Sequence, residues 1–120
     1  MNWKKISGTE LGQLEQVVGT WYQGEINTTY QELYETFGEQ SNNGDDFKVS
    51  CEWVIVFDCG TVATIYDWKR NPEYWEGGEH FTEVEDWHIG GKTVRAVELV
   101  QEVLKAKGSW KNERWLMLKK

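Results

Sequence analysis

Proline is almost missing from this chain: Pro72 is the only one in 120 residues. Cysteine is scarce, with Cys51 and Cys59 alone. No run of about 18 apolar residues occurs, so no membrane-spanning helix is expected. The opening Met1-Asn2-Trp3-Lys4-Lys5-Ile6-Ser7-Gly8 is too poor in apolar residues for a secretory signal. A cytoplasmic home is the expectation, and two reduced thiols fit it. Long low-complexity linkers and internal repeats are lacking too, and the length suits one domain with a real core.

Bases are missing from two long stretches. Ile6 to Phe47 holds no Lys or Arg against Glu10, Glu15, Glu25, Glu32, Glu35, Glu39, Asp45 and Asp46, and Asn71 to Gly91 holds none against Glu73, Glu76, Glu79, Glu83, Glu85 and Asp86. The net charge is −7, yet Lys105 to Lys120 is basic, with Glu113 its one acid. Nucleic-acid binders need basic stripes to meet phosphates, so direct nucleic-acid binding is excluded as an expectation. An acidic body suits a basic protein surface, or it serves solubility alone.

What is present is organised around a hairpin. The runs Phe47–Phe57 and Thr61–Trp68 are rich in β-branched and aromatic residues and flank Asp58-Cys59-Gly60. A two-residue turn at Cys59-Gly60 would set Asp58 opposite Thr61, Val56 opposite Ala63, Val54 opposite Ile65 and Glu52 opposite Asp67. Alternation then groups Cys51, Trp53, Ile55 and Phe57 with Val62, Thr64, Tyr66 and Trp68 on one face. Eight strand steps hold Cys51 about 26 Å from Cys59, beyond disulfide reach.

Around the hairpin (about 47–57 and 61–68), further strands are predicted near 22–26 and 83–89. Asn27 or Thr28 caps a helix near 28–37, with Tyr30, Leu33, Tyr34 and Phe37 as its apolar face and Gly38 as its stop. A second helix near 93–107 presents Ala96, Val97, Val100, Val103 and Leu104. The fold class is therefore α+β, a single domain over 1–120 with an antiparallel sheet packed by the helices and with 1–20 and 109–120 as peripheral segments. A weak helical stripe of Leu11, Leu14 and Val18 lies in the first of these. If the helices cover Val54, Val56, Ala63 and Ile65, the face with Trp53, Ile55, Phe57, Tyr66 and Trp68 needs another cover. The loop Glu73–Thr82, the basic tail or a second molecule are the candidates, the last giving a homodimer through the aromatic face.

Chemistry-bearing motifs are thin. Gly90-Gly91-Lys92-Thr93 before a helix looks like the end of a phosphate-binding loop, but the full pattern needs glycine where Asp86 stands. Glu83, Glu85 and Asp86 would also repel phosphate, so a plain turn into the helix is the better reading. His80 and His88 match no metal-ligand spacing, and Cys51 and Cys59 lack a companion pair. No metal and no cofactor are expected. Glu52 and Asp67, opposite each other in this register, are a candidate carboxylate dyad, though two wet edge residues are the simpler account. No serine or threonine sits in a nucleophile elbow.

Eight tryptophans exceed what so small a core needs. Trp53, Trp68 and Trp87 are assigned mainly to packing, and Trp75, in an acidic loop, is the best interface anchor.

The run Gly60-Thr61-Val62-Ala63-Thr64-Ile65-Tyr66-Asp67-Trp68-Lys69, with Asp86-Trp87-His88-Ile89-Gly90-Gly91 and Ala96-Val97-Glu98-Leu99-Val100, resembles a group of small uncharacterised bacteriophage proteins. Tyr30 to Gly38 fits the same group, and the likeness spans about Gly24 to Leu104. It implies a context: small acidic phage proteins that inhibit host defence or nucleic-acid enzymes by occupying basic surfaces.

The leading expectation is thus a non-enzymatic, anti-defence or anti-CRISPR-like inhibitor that binds a host protein with a basic surface. Its partner-binding residues are expected to be Trp75, Glu76, Glu79, Glu83, Glu85 and Asp86. The alternative is a small-molecule or nucleotide binder using an aromatic pocket at Tyr66, Trp68 and Trp87. An enzyme using His88 with Glu52 or Asp67 ranks last.

Overall fold

The computed structural model describes residues 2–6, 19–41, 49–68, 78 and 80–107. Its elements in chain order are β1 (Trp3–Lys5), β2 (Trp21–Asn27), α1 (Tyr30–Phe37), β3 (Val49–Phe57), β4 (Val62–Trp68), a 3-10 turn (Phe81–Glu83), β5 (Asp86–Gly91) and α2 (Arg95–Lys107). The five strands form one antiparallel sheet in the order β1-β3-β4-β5-β2. This is the expected single α+β domain built on a central hairpin. One finding is new: the start of the chain, expected as a peripheral segment, supplies the edge strand β1 beside β3. The stripe at Leu11, Leu14 and Val18, the loop 69–77 and the basic tail from residue 108 onward lie outside the described residues.

The hairpin register differs from the expected one by a single residue. Val56 pairs with Val62, Ile55 with Ala63, Val54 with Thr64, Trp53 with Ile65 and Glu52 with Tyr66. The turn spends three residues, Asp58-Cys59-Gly60, rather than two. Phe57 N–H donates to Thr61 O at 2.9 Å, Gly60 N–H donates to Phe57 O at 2.8 Å, and Gly60 takes φ +90°. That is a turn closed by a glycine bulge. Because side chains alternate with period two, the slip exchanges every partner face of β4. Cys51, Trp53, Ile55 and Phe57 therefore share a face with Ala63, Ile65 and Asp67, not with Thr64, Tyr66 and Trp68.

The exchange has a clear physical sense. Trp53, Ile55, Phe57, Ala63 and Ile65 join Ile26, Trp87 and Ile89 on one buried face, which α1 and α2 cover with Leu33, Phe37, Ala96, Leu99, Val100 and Leu104. The more polar Glu52, Thr64 and Tyr66 go to the other side. Val54, Val62 and Ile6 make a small satellite cluster there.

Local chemistry fixes the helices. Thr29 caps α1, and Glu32 returns to the cap backbone to complete a capping box. The cap lies just beyond the expected Asn27 or Thr28. Gly38 stops α1 as expected, its N–H donating to Tyr34 O at 2.8 Å. Tyr34 is exposed instead of buried; Thr36 takes the inner position, its hydroxyl donating to Glu32 O at 2.7 Å. On α2, Ala96, Val97, Leu99, Val100 and Leu104 are buried. Gly90 and Gly91 are strand residues that pair with Tyr22 and Trp21, not a loop, so the phosphate-loop likeness has no structural counterpart. A Cβ on Gly91 would come within 2.5 Å of the Ala96 methyl and 3.1 Å of Val62 O, so α2 is seated directly on this backbone.

Candidate functional site

With one sheet face buried under the helices, the opposite face carries the candidate site. Alternation along β4 turns Tyr66 and Trp68 outward, and alternation along β5 does the same for His88. On β2 a bulge between Tyr22 and Gly24 breaks the alternation, so that Tyr22, opposite Gly90, and Glu25, opposite His88, face the same side. Tyr22 Oη donates to Glu25 Oε2 at 3.0 Å across that bulge.

The rings form a chain across three strands. Tyr22 lies 4.9 Å from His88, His88 lies 5.7 Å from Tyr66, and Tyr66 meets Trp68 edge-on at 6.3 Å. Between them is an open hollow of about 370 Å³ lined by Tyr22, Tyr66, Trp68 and His88. Half of Tyr22 and 38% of Trp68 remain exposed. Trp68, expected to serve packing, is thus partly exposed at the surface. A smaller hollow of about 220 Å³ adjoins it, with Glu52, Trp21, Thr64 and Gly90 in its wall beside Tyr66 and Trp68.

Carboxylates border the rings. Glu25 Oε1 stands 3.8 Å from His88 Nε2, and Asp86, half-buried at the start of β5, accepts from Asn27 Nδ2 at 3.4 Å. Glu52 is close enough to Tyr66 for its charge to push the phenol up, after burial as the larger cause. The Tyr22 phenol is also pushed up, first by burial and then by its bond to Glu25 and that carboxylate's charge. Both phenols therefore stay protonated and their rings neutral at ordinary pH. Among the described strand residues, Lys4 on β1 is the one Lys or Arg facing this side, and it sits beyond β3.

The expected ligand pocket is partly redrawn. Tyr66 and Trp68 do line a hollow, but Trp87 does not. It is fully buried on the helix-covered face, edge-on to Trp53 at 5.5 Å, with its indole N–H donating to Val84 O at 3.1 Å. Trp87 and His88 are adjacent in a strand and so point to opposite faces; His88 and Tyr22 take the place expected for Trp87. Of the expected partner-binding set, Glu83 and Glu85 are exposed and Asp86 is half-buried. Trp75, Glu76 and Glu79 lie outside the described residues.

The catalytic candidates come apart. Asp67 is buried on the helix side, where it accepts the Cys51 N–H at 2.9 Å, at a bulge in β3 between Val49 and Glu52. Glu52 faces away from it, so they form no dyad. His80 binds Thr82 and stacks on Phe81 at 4.3 Å, and Phe81 packs on the buried core, opposite the side that His88 faces. Among the described residues no group of three His, Cys, Asp or Glu is placed to hold a metal ion.

Both thiols are free, Cys51 buried and Cys59 exposed in the hairpin loop. Burial, then the charges of Asp67 and Glu52, push the Cys51 thiol up. The Thr61 hydroxyl, 3.3 Å from Cys59 Sγ, pulls that thiol down.

No family model, curated protein or solved structure matches this chain. Open neutral rings edged by carboxylates have a chemistry that attracts cations and apolar stems.

Proposed function

We propose that this chain is a non-enzymatic binding protein whose outer sheet face docks on a basic surface of a protein partner. The observation that carries the reading is the meeting of Glu25, Glu52 and Asp86 with Tyr22, Tyr66 and Trp68 on one exposed sheet face. Rings of this kind provide anchoring area with few rotors, while the carboxylates steer a basic surface toward them. Glu83 and Glu85, which precede β5, are exposed as well. In this reading the docking surface is the sheet face, with Asp86 of the expected partner-binding set at its border. Following the phage resemblance, the partner is a host nucleic-acid-binding or defence protein, and occupying its basic surface inhibits it in the manner of an anti-CRISPR.

The immobilised protein, exposed to a bacterial host lysate at low salt, should retain such a partner, which mass spectrometry identifies. With the purified partner, raising salt from 50 to 300 mM should weaken binding at least tenfold, chiefly by slowing association. Affinity indifferent to salt, or unchanged in a Glu25→Lys, Glu52→Lys double variant that melts normally, would sink the reading. The second reading is a small ligand in the hollow of about 370 Å³, a volume within the usual range for ligand sites. Native mass spectrometry showing a co-purified metabolite would favour it.

A further inference from the structure

We draw no further inference here: the strongest candidate, the groove of about 920 Å³ between α1, α2 and β1 that Trp3, Phe57, Leu99 and Val103 line, is bordered by Lys107, beyond which the chain lies outside the described residues, and nothing in the structure shows what covers it.

Discussion

Two cysteines eight positions apart show how far a single side chain's chemistry depends on its surroundings. Cys51 is buried next to the Asp67 carboxylate, and its thiol is held well above the ordinary range by burial and by nearby negative charge. Cys59 is exposed, and hydrogen bonds from Thr61 favour its thiolate. Since the thiolate is the reactive form, the two should separate completely in an alkylation experiment. Under native conditions iodoacetamide should modify one thiol, at Cys59. Its rate should reach half its alkaline maximum at a pH below that of a free cysteine peptide, because the folded pKa is lowered. Cys51 should react only after denaturant is added. Peptide mapping that finds Cys51 labelled in the native protein, or a Cys59 profile shifted to higher pH, would contradict these environments. The expectation of two free thiols was available from spacing alone; their difference was not, because it depends on Asp67 and Thr61 as neighbours.

At the scale of elements, alternation in β3 and the apolar stripe of α2 were legible in the sequence, since both are local patterns. The pairing between strands was not. A two-residue and a three-residue turn at Asp58-Cys59-Gly60 both use a glycine with positive φ, and the choice between them exchanges the faces of β4. The same limit applies to the site. Tyr66 and Trp68 could be grouped because they alternate on one strand, but Tyr22 joins them only through a bulge and the β2–β5 register. Gly91 was read as part of a turn, and it is instead the place where α2 rests on β5. A methyl there would press against Ala96 at 2.5 Å and Val62 O at 3.1 Å, both parts of the packed frame. Gly91→Ala should therefore force α2 outward and cost about 1–3 kcal/mol. Urea denaturation measures it; an unchanged midpoint would mean that the helix is not seated as described.

For the molecule as a whole, the decisive property is the difference between its two sheet faces. One face is closed by both helices and holds Trp53 and Trp87 with no exposure. The other leaves Trp68 and Tyr22 partly open among carboxylates. Tryptophan substitutions should divide along that line. Trp87→Ala removes a fully buried indole and abandons its hydrogen bond from Nε1 to Val84 O, so it should cost about 3–5 kcal/mol of stability. That is a large share of what a domain of this size has to spare, and the variant should melt far earlier or fail to fold. Trp68→Ala, at the open end of β4, should cost less than about 1 kcal/mol of stability, as surface positions usually do. It should instead lose about 2 kcal/mol of affinity for the basic partner if the ring is a central anchor. The two readouts are independent, so the pair tests the face assignment and the binding reading separately. A Trp68 variant as unstable as the Trp87 variant would mean that the outer rings serve the core, and the docking surface would have to be sought elsewhere.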